Sequence, residues 1–308
     1  MDLKNRDLLT LADFTAEEIR YLLDESKRLK KQYKAFEREK PLDGMTLAMI
    51  FEKRSTRTRV STETGMYFLG GHALFLSSAD IQLGAGETIQ DTSRVLSRMN
   101  DAILARVYKH ETVEELAKHA TVPVINALSD KYHPLQILAD LLTIEEKKGK
   151  LEGLKLAWVG DGNNVCNSLL IGCAKMGLHM SVATPQGYEV EESILNLAKK
   201  FAKETQVTIV TTHDPIEAVK DADIVVTDTF VSMGEEGQAD EKLNAFSKYI
   251  VDEELVSNAK PDYIFMHCLP YKHKEATEEV FESENSVVFD EAENRLHTVM
   301  AVLNALMG

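Results

Sequence analysis

"TLAMIFEKRSTRTRVSTETGMYFLG", residues 46–70, decides the kind of fold. Its first six residues are an unbroken apolar run, the pattern of a strand covered on both faces. "STRTRVSTETGMYFLG" behind it has helical spacing, with Ser55 placed to cap the helix start. A strand feeding directly into a helix is half of a βαβ unit. At the junction Lys53, Arg54, Arg57 and Arg59 crowd together, with Ser55, Thr56 and Thr58 between them. The first turn of a helix offers unpaired N–H groups and the positive end of the dipole. The hydroxyls add neutral donors, and Arg57 adds a planar fork suited to phosphate. The combination reads as an oxyanion site rather than an exposed basic face or a nucleic-acid patch.

The same alternation runs outward from this stretch. Upstream, Thr15 and Glu18 form a capping box for a helix expected to reach about Tyr33. Downstream, "HALFLS", "AILARVY" and "PVINAL" read as buried strands, separated by the helical "TIQDTSRVLSRM" and "ETVEELAKHA". After the long helix "HPLQILADLLTI" the polar stretch "EEKKGKLEG", residues 145–153, marks a break. The pattern then resets. "LKLAWVG", "MSVATP", "VTIVTT", "DIVVTDT", "YIFMHCLP" and "SVVFD" read as strands, and "EAENRLHTVMAVLNALMG" as a final helix. The expected fold is α/β, with two doubly wound parallel-sheet domains spanning residues 1–148 and 149–308. The final helix, from about residue 291, is expected to return to the first domain.

Composition narrows the function classes. The chain has 308 residues, 44% of them hydrophobic and 28% charged, as in an ordinary globular protein. An acidic balance argues against general nucleic-acid binding. No stretch approaches the ~18 apolar residues of a membrane span. The N-terminal "MDLKNRDLLTLADFT" lacks the apolar core of a secretory signal. Cys166, Cys173 and Cys268 are three cysteines without CxxC spacing, so neither a disulfide framework nor a zinc cluster is expected. A reducing compartment is the simpler reading.

Ligand sites of open α/β sheets form beyond the carboxyl ends of strands. That rule selects Ser55–Arg59, Arg106, His133–Gln136, Asp161–Asn164, and the surroundings of Asp228 and Cys268. His133 and Gln136 share a helix face, where a donor could polarise a carbonyl. "VGDGNNV" is half of a dinucleotide loop, but Val165 stands where the third glycine belongs, so a tight strand-to-helix turn is preferred. Asn163 and Asn164 still offer amides to a ligand.

Taken in order, "STRTR", "ARVYKH", "HPLQ", "GDGNN", "DTFVSMG", "HCLP" and "EAENR" resemble the ornithine carbamoyltransferases over nearly the whole chain. "STRTR" with "HPLQ" is common to carbamoyltransferases, whereas "SMG" and "HCLP" resemble the ornithine branch. The resemblance implies attack by the δ-amine of L-ornithine on carbamoyl phosphate, giving citrulline and phosphate without metal or organic cofactor. It implies that Ser55, Thr56, Arg57 and Thr58 cradle phosphate, and that Arg106 bridges phosphate and carbonyl oxygen. His133 is then the donor to that carbonyl and Gln136 the partner of the carbamoyl amide. Asn164, Asp228, Ser232 and Met233 are implied to bind ornithine. Cys268 and Leu269 would line the reacting centre, and Arg295 is the closing cation. Gln82 resembles a residue lent to a neighbouring subunit's phosphate site, since the family is built on trimers with the site between subunits. The expected setting is cytoplasmic, or the mitochondrial matrix for a processed chain, in arginine metabolism.

Three rivals are weighed against this. A relative acting on putrescine or an acylated ornithine would lack "SMG". An NAD-dependent oxidoreductase would want the third glycine and an acidic residue where "MSVATPQG" has Thr184 and Pro185. A non-catalytic relative would leave family roles unfilled.

Overall fold

The computed structural model describes residues 1–79, 81, 86–231, 237 and 239–308. Two compact units divide the chain, one made of Met1–Ala139 with Glu293–Gly308, the other of Asp140–Ala292.

In the first unit four parallel strands lie in the order β2-β1-β3-β4: β1 (Thr46–Phe51), β2 (His72–Ser77), β3 (Ala102–Arg106) and β4 (Val124–Leu128). Helix α1 (Ala16–Lys34) starts on the Thr15–Glu18 capping box that the sequence announces. Helices α2 (Thr56–Phe68), α3 (Ile89–Leu96) and α4 (His110–His119) alternate with the strands. The order of connection reverses between β1 and β3, because the crossover after β1 leads to one edge of the sheet and the crossover after β3 to the other. This is the switch point where a ligand crevice opens. Ser55 and Arg57 follow β1, and Arg106 ends β3 opposite Phe51.

Helix α5 (Pro134–Lys148) contains the boundary at Ala139/Asp140. The second unit holds a five-stranded parallel sheet in the order β7-β6-β5-β8-β9. Its strands are β5 (Lys155–Val159), β6 (His179–Ala183), β7 (Ile209–Thr212), β8 (Ile224–Thr227) and β9 (Ile264–His267). Helices α6 (Asn164–Met176), α7 (Glu192–Thr205), α8 (Pro215–Val219), α9 (Ala239–Ala245), α10 (Glu253–Val256) and α11 (Glu278–Phe281) connect them. Here the switch point lies between β5 and β8, which aims the Asp161–Asn164 turn and Asp228 at one crevice. Fully buried Ala157, Val159, Val225 and Phe265 belong to this sheet's core.

"SVVFD" is a correction to the strand reading. Ser286 makes a single bridge to Phe265, and α12 (Val288–Met307) begins within the run. The apolar residues fill the first helical turn, where Glu291 N–H donates to the Val287 carbonyl at 2.9 Å. The last part of α12, from Glu293, belongs to the first unit. No described helix is long and apolar enough to cross a membrane.

The two glycines of "VGDG" are needed for different reasons, Gly160 for its backbone angle and Gly162 for a close backbone approach. Gly160 has φ +153, and a Cβ on Gly162 would sit 2.6 Å from the backbone of Glu189 and Val190. Gly162→Ala therefore forces the backbone after β6 to move. The expected loss is about 1–3 kcal/mol of stability, read as a lowered urea midpoint with unchanged m-value; an unchanged midpoint would mean the segment yields freely.

Candidate active site

Ser55 caps α2, its hydroxyl accepting from Thr58 N–H at 3.2 Å. The first turn of α2 thus opens at the end of β1 with its basic residues attached. The structure sorts that cluster. Arg59 turns to Glu63 at 3.0 Å and lies 3.7 Å over the Phe75 ring. Lys53 sits over Tyr108, and Arg54 and Thr56 are exposed. Thr58 is buried, and its hydroxyl accepts from Arg295 Nη2 at 3.3 Å. The other end of that guanidinium donates from Nη1 to Gln136 Oε1 at 2.7 Å. Arg295 on α12 thereby ties α2 to α5.

His133 sits at the start of α5, where its carbonyl accepts from Gln136 N–H at 3.1 Å and Ile137 N–H at 3.4 Å. Burial holds its imidazole well below the usual histidine range, and the cations of Arg295, Arg106 and Arg57 push in the same direction. The ring is therefore neutral at pH 7, an uncharged group amid three guanidinium groups. Seven sequence-selected residues, Ser55, Arg57, Thr58, Arg106, His133, Gln136 and Arg295, belong to this constellation, while Thr56 points to solvent.

This burial has a consequence for stability. In the unfolded chain His133 takes up a proton as pH falls through about 6.5, whereas in the folded chain it stays neutral until well below that. The unfolded state then binds more protons, so stability falls as pH drops below about 6.5. His133→Asn should flatten part of that slope in unfolding titrations between pH 7 and 5. A slope identical to the parent's would mean that the ring titrates normally.

The second unit's set is built around Asp228, which follows β8. Its Oδ1 accepts from Thr229 N–H at 2.7 Å and from the Cys268 thiol at 3.1 Å. Its Oδ2 accepts from Asn163 Nδ2 at 2.9 Å, across the β5/β8 switch point. The remaining amide oxygen of Asn163 caps α6, accepting from Val165 N–H at 3.0 Å and Cys166 N–H at 3.1 Å. Burial pushes the Cys268 thiol well up, with the Asp228 and Glu291 carboxylates beside it adding to the effect. Cys268 is accordingly a thiol that donates to Asp228, not a thiolate. Asn164 and Leu269 are half-buried at the ends of the same turns.

Among the described residues, Asp228, His267 and Cys268 bring potential metal ligands within 4.8 Å of one another. Both His267 nitrogens are engaged, however. Nδ1 accepts from Leu269 N–H at 2.8 Å, which leaves the proton on Nε2 to donate to buried Glu275 at 2.9 Å. Two remaining ligands fall short of the three or four that a zinc site needs.

Sequence reasoning passed over Glu275, Lys242 and the anchoring role of Asn163. Lys242 is buried against Asp161 at 2.7 Å, fixing the β5 turn. A helix start directly after "GDG" was the available signal for Asn163 as a cap; Lys242 and Glu275 gave none. Gln82, Ser232 and Met233 lie outside the described residues.

Comparison with known proteins fits these two halves. Residues 6–146 match the aspartate/ornithine carbamoyltransferase carbamoyl-P binding domain, and residues 152–306 match the Asp/Orn binding domain of the same family. The chain belongs to the aspartate/ornithine carbamoyltransferase family. Within that family it is 54% identical to an ornithine carbamoyltransferase of Anoxybacillus flavithermus, over 100% of this chain and 98% of the relative. It is 55% identical to an ornithine carbamoyltransferase of Bacillus subtilis, over 99% of this chain and 95% of that one. The solved ornithine carbamoyltransferase of Pyrococcus furiosus superposes with a TM-score of 0.98 at 54% identity, covering 100% of this chain and 99% of the other. That of Thermus thermophilus gives 0.89 at 44% identity, with 98% and 99% covered.

Proposed function

We infer that the chain transfers the carbamoyl group of carbamoyl phosphate to the δ-amine of L-ornithine, giving L-citrulline and phosphate. The observation that carries the chemistry is the neutral His133 among Arg57, Arg106 and Arg295. A full-length identity of 54–55% to relatives named for ornithine directs the choice of amine. A carbamoyltransferase for putrescine or an acylated ornithine is the alternative, and no similar protein reported above bears such a name.

The first unit's residues take the phosphate and the carbonyl. Ser55, Thr56, Arg57 and Thr58 meet the phosphate oxygens at the α2 N-terminus, and Arg106 spans phosphate and carbonyl oxygen. His133 donates to the carbonyl oxygen. Gln136, whose Oε1 accepts from Arg295 Nη1, is the partner of the carbamoyl amide. Arg295 compensates charge beside Thr58. Attack forms the C–N bond and places negative charge on the carbonyl oxygen, where fixed donors act most strongly. Collapse breaks the C–O bond to phosphate, and the departing phosphate takes the proton that the new amide nitrogen must lose. The second unit's residues, Asn164, Asp228, Cys268 and Leu269 with Ser232 and Met233, take ornithine. Asp228 accepts a hydrogen bond from the amine that must lose its proton, and Cys268 holds that carboxylate in place. No metal or organic cofactor enters this scheme.

The test is citrulline formation from carbamoyl phosphate with L-ornithine, N-acetylornithine, putrescine and L-aspartate in parallel. Ornithine should be preferred by orders of magnitude, because partners for its α-groups go unpaired with putrescine. Equal kcat/KM for putrescine would move the chain to the alternative. Arg57→Ala should weaken carbamoyl phosphate by about 1.5–3 kcal/mol, since it deletes a charge-assisted bond while the fold stands. Calorimetry giving near-parent affinity would remove Arg57 from the cradle.

The reading extends to a cytoplasmic homotrimer or a multiple of trimers, with Gln82 completing a neighbouring subunit's phosphate site. Three free thiols support a reducing compartment. Sedimentation equilibrium checks the assembly, and a monomer with full activity would exclude the shared site.

A further inference from the structure

His133 follows directly on a turn held by a buried polar network. Ser129 lies at its centre, fully buried. Its backbone N–H donates to the Tyr132 carbonyl at 3.0 Å, and its hydroxyl accepts from Tyr132 N–H at 3.2 Å. The turn of residues 129–132 is thus closed from both sides by one residue. Asn126 on β4, also fully buried, donates from Nδ2 to the Tyr132 carbonyl at 3.4 Å and to the Leu9 carbonyl at 2.9 Å. His110, at the start of α4, places Nδ1 2.9 Å from the Ser129 hydroxyl and packs its ring edge-on against Tyr132 at 5.0 Å. The His110 backbone N–H donates to Asp130 Oδ1 at 2.8 Å.

Two of these bonds, from Ser129 N–H and Asn126 Nδ2, end on the Tyr132 carbonyl in the peptide unit that precedes His133, and the others hold the residues that make them. Rotation of that unit swings the imidazole, because Pro134 restricts the backbone of His133 on the other side. Fully buried side-chain polar groups are costly unless each finds a partner. The benefit of such a network lies in fixing one geometry. Catalysis by a fixed donor demands that benefit, since a displacement of about 1 Å can cost roughly a hundredfold in rate.

We propose that Ser129 is a positioning residue for His133, acting with Asn126 and His110 to hold the imidazole where a donor to the carbonyl oxygen must stand. This rests on the role given to His133 above. Phosphate contacts come from other elements, so the network acts on turnover and not on carbamoyl phosphate affinity.

A double-mutant cycle tests it with purified full-length enzyme. Ser129→Ala should lower kcat roughly ten- to a hundredfold, with the dissociation constant for carbamoyl phosphate within about threefold of the parent. In a His133→Ala background the same substitution should change kcat less than about twofold, since residues acting as one unit are non-additive. A Ser129→Ala loss that persists undiminished in that background, or a parent-like kcat for Ser129→Ala, overturns the inference. If His133→Ala itself leaves kcat intact, the role of His133 fails instead, which separates the two ideas. Should Ser129→Ala not fold, His110→Gln carries the same cycle, with a smaller loss that again must vanish when His133 is absent. His110→Gln with parent-like kcat, or with a loss that His133→Ala does not absorb, likewise overturns it.

Discussion

His133→Ala should lower kcat by about 10²–10³ while carbamoyl phosphate still binds. The size is that of one fixed donor removed from a developing oxyanion. Burial disfavours a charged ring, and the guanidinium groups of Arg295, Arg106 and Arg57 push in the same direction, so the imidazole stays neutral. A neutral donor suits this position. It stabilises the oxygen as charge appears without binding the phosphate more tightly in the ground state, which would raise affinity without raising kcat. The substitution therefore separates the two quantities. On the proposed assignment, phosphate affinity rests on Arg57, Thr58 and Arg106, and turnover on His133. Removing a buried ring also leaves a cavity, so the unfolding midpoint must be measured alongside, and His133→Gln should recover part of the rate by restoring a donor. A kcat within fivefold of the parent for a folded His133→Ala would reduce His133 to packing.

The kinetics should show the same protonation state. A group that stays neutral well below pH 6.5 puts no inflection of its own into kcat/KM for carbamoyl phosphate between pH 6 and 9. An inflection near 6.5 that disappears in His133→Gln would contradict the buried neutral ring.

Most of the architecture was readable because parallel strands covered on both faces appear as unbroken apolar runs. "TLAMIF" and "IFMH" are such runs, and each ends where chemistry begins. Local caps were equally plain, since Thr15 with Glu18 and Ser55 with Thr58 are three residues apart. "SVVFD" misled because a run of three apolar residues suits a strand and the first turn of a helix alike. Electrostatic partition was also hidden. Four basic residues crowd residues 53–59, yet only the folded chain shows that Arg59 turns outward to Glu63 and Phe75. Side-chain links across long sequence gaps left no local trace. Asn163 to Asp228 and Asp161 to Lys242 are contacts between separate strand-end segments, and no periodicity announces them. The places of the candidate residues at strand ends were legible, while the side-chain contacts that hold them were not.

Asp228→Asn should lower kcat by about 10²–10⁴, the range spanned by positioned proton-transfer groups. The carboxylate accepts three donors, from Cys268, Thr229 and Asn163. An asparagine of the same shape can offer an oxygen to only one side. Its NH₂ then faces either the Asn163 amide or the Thr229 N–H. Asn163 cannot turn its oxygen round, because that oxygen caps α6, and uncapping costs about 1 kcal/mol. The donor clash therefore persists and shifts the side chain from the amine. The substitution also deletes the anion that faces a nitrogen gaining positive charge as the C–N bond forms. Cys268→Ser makes the contrast, since a hydroxyl still donates to Asp228 and should cost much less than the loss of the carboxylate. The proposed carbamoyl phosphate residues are in the other unit, so that affinity should stay at the parent value in both variants. An Asp228→Asn enzyme that turns over within tenfold of the parent, or a Cys268→Ser enzyme as impaired as Asp228→Asn, would make the carboxylate a structural anchor and require another group to receive the amine.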